Sequence, residues 1–312
     1  MDLYKHICGP TPSRRLGFAL AVDLIPPKTC NHNCNYCQLG PTKEYTVERK
    51  SFVPLDDVIA ELDDFLGKGS KIDFITFPGS GEPTLSFDLG RALTAARQRG
   101  YPTALFTFGQ LLYREDVLCD VQNASIILPT FLSANKETYY KIARPHPSLN
   151  FEDYLSGLEQ LKLRYSGEVW LAVMLLNGLN DSPEELQNTK EWIEKIQPDR
   201  VQLTSAHRPS LVDTVAPLDY EAMMRARAIL GAHCEILGDF QRKQDARYSG
   251  NATQMILNII QRRPASTDEL QKSLGLDVNE LEKIVLDLVN DKKVEIHAYG
   301  SQRFLSLKEE KN

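Results

Sequence analysis

No apolar run in this 312-residue sequence approaches the ~20 residues that span a bilayer. The opening Met1-Asp2-Leu3-Tyr4-Lys5-His6 has no apolar stretch of the signal-peptide kind either. The expected location is therefore the cytoplasm, with no membrane partner. Positive charge is also in short supply: the net charge is −6 and the isoelectric point about 5.6, so no general attraction draws the chain to nucleic acid. The turn Pro78-Gly79-Ser80-Gly81-Glu82-Pro83-Thr84-Leu85 lacks a P-loop lysine, and its carboxylate would repel phosphate. Two glycines and one acceptor there suit a cationic amino group instead, or form a plain turn.

Cysteine is scarce, yet three of the six fall within eight residues, Cys30-Asn31-His32-Asn33-Cys34-Asn35-Tyr36-Cys37. In a reducing compartment such clustering points to metal or redox chemistry before disulfides. Three thiolates in a turn-rich run can face one soft metal centre. The second Cys-x-x-Cys half of a structural zinc site is missing nearby, and His32, wedged between two ligands, is the remaining candidate for a Cys3His set. An iron-sulfur cluster on three cysteines, with one iron left open, is the other reading. Cys8, Cys119 and Cys234 are expected to be ordinary buried thiols. Arg14, Arg15, Lys28, Lys43, Arg49 and Lys50 flank the cysteine loop. Most read as solvated surface; Arg14 and Arg15, just before the first strand, are the pair expected to reach a pocket mouth.

With 42% hydrophobic residues the chain can bury a sizeable core. Strands are predicted at 20–25, 72–77, 103–107, 125–128, 169–176 and 200–204, and helices at 55–66, 85–99, 111–119, 152–164, 183–196 and 220–230. This alternation implies parallel strands with right-handed crossovers, hence an α/β fold built as a partial (β/α)6 TIM-type barrel over residues 1–240. Ligand chemistry in that architecture gathers at the carboxyl ends of the strands, where the cysteine loop (26–40) lies. A polar stretch at 241–251 reads as a linker. Residues 252–312 then carry three short helices and two strands joined at Gly300-Ser301, a winged-helix pattern. Nine basic against ten acidic residues in 251–312 make nucleic-acid binding the less favoured use of that unit, and a protein or peptide partner the more favoured one.

The cysteine triad after a first strand, with Gly81-Glu82-Pro83 after the second, resembles the radical S-adenosylmethionine (SAM) superfamily. Ser13-Arg14-Arg15-Leu16-Gly17, Cys37-Gln38-Leu39-Gly40, Arg144-Pro145-His146-Pro147-Ser148 and Arg200-Val201-Gln202-Leu203 narrow the resemblance to its wyosine-synthase-like group. The resemblance implies a [4Fe-4S] cluster on Cys30, Cys34 and Cys37. It also implies SAM contacts from Ser80, Gly81, Glu82 and Pro83, and Tyr36 near the adenine. Thr107, where Thr107-Phe108-Gly109-Gln110 replaces the family's Thr-Asn-Gly, is an expected ribose contact; Ser133 and Asn135 after the fourth strand are either ribose contacts or a turn capping a helix at 137–142. Arg14, Arg15, His146, His207 and Arg208 are the expected substrate contacts. The implied enzyme takes an electron from a donor such as flavodoxin or ferredoxin, cleaves SAM to a 5′-deoxyadenosyl radical, and abstracts hydrogen from a peptide, a protein or an RNA base. A true wyosine synthase needs a second cluster from further N-terminal cysteines, and only Cys8 lies upstream. The alternative is a zinc or redox-sensing regulator whose winged helix binds nucleic acid.

Overall fold

The computed structural model describes residues 4–69, 71–210, 215–237, 252–300 and 302–308. Strand β1 (Ile7–Ser13) pairs antiparallel with β2 (Gly17–Val22), and β3 (Thr29–Cys30) pairs with β4 (Glu44–Tyr45) across the cysteine loop. Then come α1 (Leu55–Gly67), β5 (Phe74–Phe77), α2 (Leu89–Gln98), β6 (Thr103–Thr107), α3 (Glu115–Val121), β7 (Ile126–Phe131) and α4 (Lys136–Ala143). They are followed by α5 (Phe151–Arg164), β8 (Glu168–Leu175), α6 (Pro183–Ile196), β9 (Arg200–Ser205), α7 (Tyr220–Leu230) and β10 (Glu235–Ile236). One sheet of order β1-β2-β5-β6-β7-β8-β9-β10 results, parallel throughout except for β1.

Side-chain alternation divides the two faces of this sheet. Ile75, Leu105, Ile127, Leu171 and Leu203 join the main core with the helices, while Ala104, Ile126, Leu128 and Trp170 pack on the other face with Leu16. Helices α5, α6 and α7 start at Asn150, Ser182 and Asp219, whose side chains accept the amide hydrogen three residues on.

Several elements depart from expectation; α3, expected at 111–119, spans Glu115–Val121. The first strand of the parallel set ends at Val22, not Ile25, and its partner β1 was hidden by Gly9-Pro10 and Pro12, residues that an edge strand tolerates. The helix expected at 85–99 divides into a single 3₁₀ turn, Pro83–Leu85, and α2. β10 adds a seventh parallel strand of two residues, too short to leave a periodic signal.

At the C-terminal end, α8 (Ala252–Arg262), α9 (Thr267–Leu274) and α10 (Val278–Asn290) accompany β11 (Ala265–Ser266), β12 (Val294–Tyr299) and β13 (Gln302–Leu307). The strands form an antiparallel sheet of order β11-β13-β12. The expected linker at 241–251 and Ser301 of the turn lie outside the described residues. Ile256, Ile259, Leu270, Leu281, Leu288 and Leu305 form a separate core, which takes in Cys8 of β1.

Charge fixes this unit to the sheet. Arg262 donates to Asp23 at 2.8 Å and to the carbonyls of Lys5 and Ile7 at 3.1 and 3.0 Å. Glu269, whose amide is capped by Ser266, accepts from Arg208 at 2.9 Å and also pairs with Arg263. Burial alone would raise the Glu269 carboxyl, but the charges of Arg263 and Arg208 outweigh it and hold the group at about 2, against an ordinary 4.5. Glu269→Gln leaves two arginines without their partner, an expected cost of about 3–5 kcal/mol at neutral pH. Because the folded-state carboxyl is depressed, its stabilisation is complete above pH 4.5 and is lost as pH falls toward 2. Urea melts across that window should therefore slope more steeply for the wild type than for the variant.

Candidate active site

The cysteine loop leaves the carboxyl end of β2 and is strapped down by backbone bonds from a distant segment. Asn33 donates to the Arg144 carbonyl at 3.0 Å, Asn35 to the Ile142 carbonyl at 3.0 Å, and His146 N–H to the Asn31 carbonyl at 2.9 Å. Arg144 makes the bend possible by adopting a left-handed conformation at the end of α4, with φ 46°. Cys30, Cys34 and Cys37 are free thiols that line one cavity of about 330 Å³. Burial raises all three thiols; Glu82 adds to the effect at Cys30, and Cys30 and Cys37 add to it at Cys34. Holding three thiolates here therefore takes a positively charged occupant.

Among the described residues no three His, Cys, Asp or Glu side chains converge closely enough for a single metal ion. His32 does not supply a fourth ligand. Its Nδ1 is 2.7 Å from Asn31 Oδ1, its Nε2 is 3.1 Å from the Tyr139 hydroxyl, and its ring stacks on Phe108 with centroids 3.8 Å apart. Burial pushes the ring down to about 3, so it is neutral.

The turn after β5 is joined to the cysteine loop through backbone. Lys28 N–H donates to the Ser80 carbonyl at 2.6 Å and Glu82 N–H to the Thr29 carbonyl at 3.2 Å. Ser80, Gly81 and Glu82 line the same cavity as the cysteines. A Cβ on Gly81 would lie 1.7 Å from the Thr29 carbonyl oxygen, so glycine alone allows the two loops to touch. In Gly81→Ala the backbone beside Cys30 must shift. We expect a loss of about 1–3 kcal/mol in stability and of most bound iron, measured by thermal melting and metal analysis of the reconstituted protein.

Glu82 is buried and largely committed within the protein. Its Oε1 accepts from Thr84 N at 3.1 Å, Thr84 Oγ1 at 2.6 Å and Thr107 Oγ1 at 2.7 Å, and its Oε2 accepts from Phe108 N at 2.8 Å. Burial, the largest influence, raises its carboxyl. Oε2 keeps a lone pair for one further donor. The segment Thr107-Phe108-Gly109-Gln110 thus braces the turn and the loop together: Phe108 carries the His32 ring, and Gln110 accepts from Tyr139, the partner of His32.

Of the expected cofactor contacts, Tyr36, Ser80, Gly81, Glu82 and Thr107 line the cavity. Pro83 lies behind it at the start of the 3₁₀ turn. Ser133 and Asn135 do not line it: the Ser133 hydroxyl donates to Glu185 at 2.7 Å and Asn135 caps α4 by accepting from Thr138 N–H at 3.1 Å. Among the expected substrate contacts, Arg14, Arg15, His207 and Arg208 line it. His146 does not. Its ring bonds to Ser148 at 2.8 Å and packs edge-on to Tyr45, and its contribution is the backbone strap.

Thr130, Met174 and Thr204, at the carboxyl ends of β7, β8 and β9, also line the cavity and were not anticipated. Their position at strand ends was the available signal. Arg49, expected at the surface, is buried and donates to the Thr84 and Ser86 carbonyls at 2.8 and 3.1 Å, pinning the turn from behind.

The profile of the Radical SAM superfamily matches residues 24–193, which include both motifs. The chain is 32% identical over 245 residues to a UPF0026 protein of Methanocaldococcus jannaschii, a match covering 78% of this chain and 75% of that protein. It is 34% identical over 295 residues to a Brachyspira hyodysenteriae protein named GTPase Obg, covering 93% of this chain. The match spans only 43% of that relative's length. Among solved structures, TYW1 with a lysine-pyruvate adduct bound aligns at a TM-score of 0.51 and 16% identity, covering 68% of this chain and 72% of that one. That likeness is one of fold. Among the described residues no helix is long and apolar enough to cross a membrane.

Proposed function

Because this chain belongs to the radical SAM superfamily of enzymes, in the wyosine-synthase-like group marked by its UPF0026 relatives, we propose that the cavity at the cysteine loop holds a [4Fe-4S] cluster on Cys30, Cys34 and Cys37 with SAM beside it. When bound, these groups supply reductive carbon-sulfur cleavage and removal of a hydrogen atom from the substrate, with the electron coming from a donor such as flavodoxin or ferredoxin. The protein's part is to bind, orient and exclude water. The observation that carries this reading is the cavity itself, which Cys30, Cys34 and Cys37 line together with Ser80, Gly81 and Glu82.

The backbone of Ser80 to Pro83 and the open lone pair of Glu82 Oε2 are the groups for the SAM amino nitrogen. Tyr36 offers an aromatic face, and Phe106, Phe108 and Met174 keep the wall apolar. The mostly parallel sheet supports the partial (β/α)6 barrel, since its strands send their helices to one face. Residues 1–240 would form that domain. Residues 252–312, with three helices and a three-stranded antiparallel sheet, would form a winged helix.

The acidic face of α10, with Glu280, Glu282 and Asp287 against Lys283, suits a protein or peptide partner better than phosphodiester. A larger cleft of about 740 Å³ lies between this unit and the ends of β9 and β10, and it meets the cavity at Arg14, His207 and Arg208. It is the entry we assign to the substrate.

Electron paramagnetic resonance of the anaerobically reconstituted, reduced protein tests the assignment. The expected result is a [4Fe-4S] signal that changes on adding SAM. One zinc per chain with no labile sulfide would instead support the regulatory alternative.

A further inference from the structure

Among the described residues Arg49, Arg262 and Arg208 are well supplied with acceptors, whereas the Nε atoms of Arg15 and Arg227 have none. Arg49 has two carbonyls and the carboxylates of Asp116 and Asp120, and Arg262 has Asp23 and two carbonyls. Arg208 has Glu269 and Gln38. Arg15, in the turn between β1 and β2, lines the cavity shared by Cys37 and Glu82, yet its Nε is shut off from solvent with no hydrogen-bond partner among the described residues. Its guanidinium lies over the ring of Phe106, 5.5 Å from the centroid, a contact that orients the planar fork without satisfying its donors.

The surroundings add charge of the same sign. Burial, then the charges of Arg14 and Arg208, push the Arg15 guanidinium down to about 10. Arg14, Arg15, Lys28 and Arg208 all line the cavity, and Glu82, with four donors already on it, is the one carboxylate in that lining. A buried donor left unmade is costly, and like charges held together are relieved by an anion.

We propose that Arg15 receives a phosphate group carried by the substrate, its fork binding two phosphate oxygens. This rests on reading the cavity as the SAM site. Arg208 already has Glu269, so the positive charge left in the lining beside Glu82 is that of Arg15 and Lys28, which favours a phosphate dianion over a monocarboxylate. The stacked Phe106 holds the guanidinium where a substrate entering past Arg14 and Arg208 would meet it.

The test is calorimetric titration of the reconstituted, SAM-loaded protein with inorganic phosphate and, separately, acetate. Wild-type protein should bind phosphate saturably and more tightly than acetate. Arg15→Gln should weaken phosphate by about tenfold or more, as expected for loss of a charge-assisted bidentate contact. Arg15→Lys should recover part of the loss, and Arg91→Gln, at an exposed arginine paired with Asp88, serves as the control for surface binding.

No saturable phosphate binding by the wild type, acetate bound as tightly as phosphate, or equal phosphate affinity in wild type and Arg15→Gln overturns the proposal. A matching loss of SAM affinity in Arg15→Gln also overturns it, by assigning Arg15 to the cofactor. If Arg15→Gln does not fold, Arg15→Lys and the wild-type titration still decide. Failure of the underlying reading shows separately, as wild-type protein that forms no 5′-deoxyadenosine whatever its phosphate affinity.

Discussion

Cys34→Ala is expected to bring bound iron, labile sulfide and 5′-deoxyadenosine formation down to background while the protein remains folded. Cys34 is the middle ligand of the loop, and burial together with Cys30 and Cys37 raises its thiol. Two remaining thiols supply too few ligands to keep a cluster that already leaves one iron open. The loop's shape does not depend on the sulfur. It is set by the bonds from Asn33, Asn35 and His146 N–H groups, by the His32 ring on Phe108, and by the turn bond from Cys37 N–H to the Cys34 carbonyl at 3.2 Å. Circular dichroism and the melting temperature of the cluster-free variant should match those of cluster-free wild type. Cys119→Ser, at an exposed thiol away from the loop, should keep full iron and sulfide. Iron retained by Cys34→Ala would show that the ligands lie elsewhere.

Arg49→Met should produce the largest loss of stability among single substitutions around the site. The Arg49 side chain is 2% exposed, and besides its two carbonyl bonds it pairs with Asp116 at 2.6 Å and with Asp120. Its guanidinium also lies 5.1 Å from the ring centre of Phe87. Removing it abandons two carbonyls and Asp120 at once, while Asp116 keeps Arg114, a loss of about 3–5 kcal/mol, or a melting temperature lower by roughly 10 °C. Arg49→Lys should recover little, because an ammonium cannot reach four acceptors as a planar fork does. Thr84 and Ser86, the carbonyls Arg49 holds, continue the turn that carries Glu82. Affinity for SAM should therefore fall together with stability. A variant that melts like wild type would show that the buried pair is dispensable.

The parts of the fold and site that were legible in the sequence are those whose physics is local. The cysteine triad and Gly81-Glu82-Pro83 are short motifs, and α6 and α7 begin and end as expected because Ser182 and Asp219 cap them in sequence. What escaped depends on partners far along the chain. Arg49 looked like solvated surface because its acceptors lie 35 to 71 residues away. The pairing of Arg208, an expected substrate contact, with Glu269 was out of view because the two lie 61 residues apart. The helix cap at Asn135 was one of the two roles its sequence context offered, while the Ser133 bond to Glu185, 52 residues on, was not legible there. His146 carries a chemically capable ring, yet its backbone N–H is the part the loop uses.

Anaerobic incubation of the wild-type protein, reconstituted with iron and sulfide, with SAM and a strong one-electron reductant tests the central claim most directly. The expected result is 5′-deoxyadenosine and methionine in equal amounts, formed only when both reductant and cluster are present. No 5′-deoxyadenosine from protein carrying a full complement of iron and sulfide would contradict it.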